Sequence, residues 1–133
     1  MIVWKDEYLI GVEHIDAQHQ SLFAKVSEFA EIVEAGVEEN KDEIIAGIKF
    51  LKEYALKHFS DEEAYQQSIN YPEFHEHQAQ HKSFVQTVLS IERELKASNY
   101  AEDDVRKLLQ TLSVWLVFHV ANTDQKLAIK KNH

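Results

Sequence analysis

Helix breakers are almost absent from this chain. Three glycines (Gly11, Gly36, Gly47) and one proline (Pro72) among 133 residues are too few for a sheet protein, which must turn every ten residues or so. Long helices are therefore favoured. At 44% hydrophobic and 28% charged, the chain has enough apolar material to bury one core and too much to stay disordered. Its length suits a single domain over 1–133, with no separate catalytic partner domain.

The apolar positions place four helices. Asp16 is a plausible N-cap for the first, in which His19, Leu22, Val26, Phe29 and Val33 recur at helical spacing until Gly36 stops it. The second runs from about Lys41 to Gln67, with Ile44, Ile48, Leu51, Ala55, His58, Glu62 and Tyr65 on one stripe in alternating steps of four and three. Pro72 reads as the first turn of a third helix, whose stripe is His77, His81, Phe84, Val88, Ile91 and Leu95 and which ends near Ser98 and Asn99. The fourth carries Val105, Leu108, Leu112, Trp115 and His119 and continues towards Leu127. Short connections between such helices give an all-α, antiparallel up-down-up-down four-helix bundle. An irregular arm, residues 1–15 with Trp4, Tyr8, Leu9 and Ile10, precedes it.

Charge and cysteine content restrict the chemistry. Fourteen Lys and Arg against 23 Asp and Glu give a net charge of −9, unsuited to nucleic acid or anionic membranes, and the only basic cluster is the short tail Lys126, Lys130, Lys131. Charged residues inside Met1 to Ile15 argue against a secretory signal or membrane span, so a cytoplasmic location is expected. With no cysteine, any metal must be held by His, Asp or Glu.

The eight histidines are the compositional oddity. In each helix a histidine falls in phase with the apolar stripe, where a polar ring needs a partner. His19 lies near the start of helix one and His58 and Glu62 near the end of helix two. His77 and His81 lie near the start of helix three, and His119 and Asp124 near the end of helix four. In an antiparallel bundle these places share one end, so seven inward polar side chains converge on one layer. His58 with Glu62, and His77 with His81, are i, i+4 pairs on one helix face. His119 and Asp124 are i, i+5, about 140° apart on an ideal helix, so the aspartate must reach across or the helix must distort there. Five imidazoles and two carboxylates exceed one structural zinc site and imply two metals. Iron suits such a site best, with manganese and zinc as alternatives.

At these residues the chain resembles the hemerythrin family, particularly its single-domain bacterial members. The segments that carry the likeness are Gly11-Val12 with Ile15-Asp16-Ala17-Gln18-His19, His58-Phe59-Ser60-Asp61-Glu62-Glu63, Tyr71-Pro72 leading to His77-Gln78-Ala79-Gln80-His81, and Trp115-Leu116-Val117-Phe118-His119 with Asp124. The resemblance implies that His77, His81 and His119 bind one iron and His19 and His58 the other. Glu62, Asp124 and a solvent-derived oxo or hydroxo group would bridge them, and dioxygen would bind at the open position of the two-histidine iron. It further implies a dry pocket wall of Phe59, Trp115, Leu116 and Val120.

Reversible dioxygen binding, without enzymatic turnover, is the implied function. Reduction of nitric oxide or peroxide, and oxygen sensing through a partner protein, are the competing uses. Gln66 departs from the methionine the family often has four residues after the bridging glutamate, which makes packing there more polar. His14, His75 and His133 fall outside the pattern, and Glu63, one position off the metal face, is expected in solvent.

Overall fold

The structure is a computed structural model that describes residues 2–128. Four helices, α1 (Glu13–Ala35), α2 (Lys41–Ser68), α3 (Phe74–Ala97) and α4 (Glu102–Phe118), form the expected bundle. Each packs on its two neighbours in a ring, α1 against α2 and α4, α3 against α2 and α4. No described helix is long and apolar enough to cross a membrane. His133, Lys130 and Lys131 lie outside the described residues.

The stripes read from the sequence form the core. Leu22, Val26, Phe29 and Val33 of α1 meet Ile44, Ile48 and Leu51 of α2, Ile91 and Leu95 of α3 and Val105 and Leu108 of α4 in one apolar cluster. Burying a side chain of this size stabilises the fold by about 1.5–3 kcal/mol. Ala55, Val88 and Leu112 are only partly buried, because they line a gap among α2, α3 and α4.

Two boundaries differ from the sequence reading. The helix α1 starts at Glu13, with Val12 as a cap that offers no side-chain bond. Asp16 is therefore not an N-cap but a first-turn residue, and the arm ends at 12. The buried Asp16 carboxylate accepts from the backbone N–H of Ile10 (2.9 Å) and Gly11 (3.0 Å), so it ties the arm to the helix. Pro72 lies in the turn before α3 and not in its first turn. There Asn70, at a φ of 53°, reverses the chain and the Tyr71 N–H donates to the Gln66 carbonyl at 2.9 Å.

The arm packs along the bundle, with Trp4 and Tyr8 set against each other and against Phe23. Gln125 Nε2 donates to the Tyr8 carbonyl at 2.9 Å, linking the arm to the chain after α4. Ile10, Val12, Ile15 and Leu127, with Tyr65 and Tyr71 against them, make a second, smaller apolar cluster.

The helix distortion demanded by His119 and Asp124 is present. After Phe118 the chain forms one π-helical segment, His119–Thr123, then a 3-10 turn, Asp124–Leu127. A π-turn holds i and i+5 on one face, and such turns gather at functional sites.

Candidate metal centre

His19, His58, Glu62, His77, His81, His119 and Asp124 all meet in the bundle interior, and each is at most 2% exposed. Two groups of donors emerge, each with its donor atoms within 4.8 Å of one another: Glu62, His77, His81 and His119, and His19, His58, Glu62 and Asp124. The ring nitrogens point inward and towards each other. His19 Nε2 is 3.1 Å from His58 Nε2, and His119 Nε2 is 3.1 Å from His77 Nε2 and 3.2 Å from His81 Nε2.

Both carboxylates span the two groups. Glu62 Oε1 lies 2.9 Å from His77 Nε2 and 3.0 Å from His81 Nε2, while its Oε2 faces His19 (3.5 Å) and His58 (3.6 Å). Asp124 Oδ1 stands 2.9 Å from His77 Nε2 and 3.0 Å from His119 Nε2, and Oδ2 is 2.9 Å from His19 Nε2. Yet Glu62 Oε2 and both Asp124 oxygens accept no hydrogen bond among the described residues. These atoms are at contact distance without being aimed at one another, as donors gathered around a shared point must be.

Seven converging donors exceed the four ligands of one tetrahedral zinc site. Imidazole donors exclude the oxygen-only sites of calcium and magnesium.

Outside the layer two side chains fix ring orientation. Gln18 Oε1 lies 2.8 Å from His58 Nδ1, and the Gln18 amide donates to Asp61 Oδ2 at 2.7 Å. Glu63 Oε2 lies 2.8 Å from His81 Nδ1, and Glu63 Oε1 accepts from Gln78 Nε2 at 3.0 Å. The expectation that Glu63 is solvated is thus corrected. One step around α2 from Glu62, it reaches the neighbouring helix α3 and takes the outer nitrogen of a ring whose inner nitrogen faces the donors. Such partners set tautomer and ring angle. A glutamate directly after Glu62 was the visible signal for Glu63; nothing in the spacing singled out Gln18. His14 and His75 are exposed and take no part.

A sequence model described as the Hemerythrin HHE cation binding domain matches residues 10–128. A bacteriohemerythrin from Clostridium acetobutylicum is 34% identical over 95% of this chain and 98% of its own length. The chain belongs to the hemerythrin family. A bacteriohemerythrin from Stenotrophomonas maltophilia (27% identical, 96% of this chain and 80% of its own) and a myohemerythrin from Riftia pachyptila (27%, 93% and 88%) are similar along nearly the same span. The hemerythrin centre is a pair of iron ions, and the two donor groups that share Glu62 fit such a pair.

In this hemerythrin the donors also balance each other's charge. Burial alone would lower the His19 and His77 pKa values, but the Asp124 and Glu62 carboxylates beside each ring raise both to about 9. His119 is raised by the same two carboxylates against its burial. Burial pushes His58 down to about 3, since Glu62 compensates it only in part. Burial would raise Glu62 and Asp124, yet the surrounding imidazoles hold both below the usual carboxylate range. The metal-free hemerythrin therefore carries protons where cations would sit.

Against His58 and His119 lies a cavity of about 30 Å³, walled by Phe59, Trp115, Leu116 and Val120 together with Leu22, Val26 and Leu51. Trp115 stacks on His119, with ring centroids 4.3 Å apart, and Phe59 stacks on His81 at 4.0 Å. Phe59, Leu116 and Val120 are buried and Trp115 is half-buried. Beyond Leu51, Ala55, Phe59, Phe84 and Leu112, which wall both spaces, a larger apolar cavity of about 240 Å³ opens among α2, α3 and α4.

Proposed function

We propose that this hemerythrin binds dioxygen reversibly, as a single unit that stores, delivers or buffers the gas without turning it over. Its iron pair would be held by His77, His81 and His119 on one side and His19 and His58 on the other, with Glu62, Asp124 and an oxo or hydroxo group as bridges. The observation that carries the reading is the small cavity against His58 and His119. A water needs about 10–15 Å³ of such volume, so about 30 Å³ admits a diatomic guest and no organic substrate.

The iron pair supplies the electrons that dioxygen draws on when it binds. The residues do the rest. Glu62 and Asp124 keep the two halves of the centre together, while Gln18 and Glu63 hold the rings of His58 and His81 at fixed angles. Phe59, Trp115, Leu116 and Val120 keep water from the bound gas, which limits its loss as peroxide. Among the described residues, the titratable side chains on the cavity wall are His58 and His119, both assigned to iron. No side chain there is free to act as a general acid, which favours binding over reduction of peroxide or nitric oxide. Carboxylate-rich bundle sites with four carboxylates and two histidines are the oxygen-activating alternative, and five histidines with two carboxylates differ from them.

The test is the visible spectrum of the iron-loaded protein, reduced without oxygen, exposed to air and then returned to vacuum. A colourless form that gains a charge-transfer band in air and loses it again over repeated cycles supports the reading. Irreversible bleaching, or steady consumption of oxygen or peroxide above that of free iron, would replace it with the enzymatic one.

A further inference from the structure

The wall of the metal layer away from the gas cavity carries a residue that neither the ligand set nor the gas pocket uses. On α2 the cavity is lined by Leu51, Ala55, His58 and Phe59, all before Glu62. Gln66 follows Glu62 by one helical turn on the same face, so it stands about 6 Å further along the helix. It is fully buried, and neither its Nε2 nor its Oε1 has a hydrogen-bond partner among the described residues. Its backbone carbonyl is already taken by the Tyr71 N–H. Flanking residues Tyr65 and Tyr71 pack on the apolar cluster of Ile10, Val12, Ile15 and Leu127. Along α2, Gln66 is thus placed between Glu62 of the metal layer and the turn that leads through Tyr71 to α3.

A primary amide brings two donor hydrogens and one acceptor, and burying all of them without partners is strongly unfavourable. A buried polar group of this kind is regularly satisfied by an ordered water with two to four partners. We propose that Gln66 builds a hydration niche for one water molecule at the carboxylate side of the metal layer, opposite the dry gas cavity. The two walls of the centre then differ in kind: hydrocarbon where the gas enters, and hydrogen-bonding where Glu62 and Asp124 lie.

A consequence follows that rests on the dioxygen reading above. Loss of bound gas as hydrogen peroxide takes two electrons from the iron pair and two protons from solvent. A buried water beside the carboxylates is a station for those protons. Replacing Gln66 by methionine, of similar length but without donors or acceptors, removes the station and slows that loss.

The experiment compares the iron-loaded full chain with Q66M and Q66L by high-resolution crystallography, thermal unfolding and bleaching in air. The expected results are an ordered water within hydrogen-bond distance of the Gln66 amide in the wild type, no water there in either variant, and midpoints within about 2 °C of wild type, because amide and water leave together. Bleaching is expected to slow several-fold. A wild-type amide that is dry or paired directly with a protein group overturns the niche, as does a water that persists in both variants. A rise of several degrees in both variants, the mark of an amide that had no partner at all, also overturns it. Equal bleaching rates overturn the proton role. If the protein takes up no dioxygen, that failure belongs to the dioxygen reading, while the crystallographic and thermal arms still decide the niche.

Discussion

The two ends of this bundle are built from the same four helices on opposite principles. At one end, Ile44, Leu95, Val105 and Leu108 are buried to 1% or less within one apolar cluster. At the other, five imidazoles, two carboxylates and the Gln66 amide are buried to 2% or less. Hydrocarbon burial at the first end is favourable without any partner. The polar end is tolerable only because each charge faces an opposite one or awaits a metal. One end therefore holds the helices in register, and the other uses that register to bring the donor atoms together.

The sharpest way to break this division is at Glu62, one of the two carboxylates that face both donor groups. Glu62→Ala is expected to leave a helical, folded protein that retains no iron pair after gel filtration, as read by iron analysis and circular dichroism. Retention of two irons would mean that the carboxylate does not join the two halves. At the apolar end the reverse is expected. Leu95→Ala should cost about 2–5 kcal/mol in denaturant unfolding while iron content stays at wild-type level.

Much of this division is visible in the sequence, and the reasons are geometric. A stripe such as Ile44, Ile48, Leu51 dictates which face of α2 turns inward, and His58 and Glu62 continue it without a break. Antiparallel order then gathers the histidines at one end. The five-residue step from His119 to Asp124 requires a helix distortion, which the structure supplies as a π-helical segment. What the spacing does not reveal depends on contacts between elements. Asp16 has the composition of a helix cap, but its oxygens are taken by the arm at Ile10 and Gly11. Glu63 lies off the inward stripe, and only the closeness of α3 turns it towards His81. Gln18 is unremarkable until α1 and α2 are docked.

A third way to sharpen the contrast is pH. With folded values raised to about 9 from an ordinary 6.5, His19 and His77 contribute stability that is complete below about pH 6.5 and lost as pH rises through 9. Metal-stripped protein should therefore lose stability across that window. Iron-loaded protein should not, because cations have replaced the protons. Loading iron at neutral pH should accordingly release protons, measurable as buffer-dependent heats in calorimetry. Equal pH profiles for the loaded and stripped forms would show that these rings do not face the carboxylates in the absence of metal.

The smallest effects are expected from the outer partners. Glu63→Ala and Gln18→Leu should each weaken iron retention against a chelator about 10–100-fold, with the helical content unchanged. An effect as large as that of Glu62→Ala would move these residues into the ligand set itself.

Oxygen uptake by the reduced, iron-loaded protein, measured together with its iron content, tests the central claim most directly. The structure and the donor count lead to one dioxygen taken up for every two irons, returned in full when the gas is removed. No uptake, or uptake that continues past that ratio and cannot be recovered, would contradict reversible binding at a single iron pair.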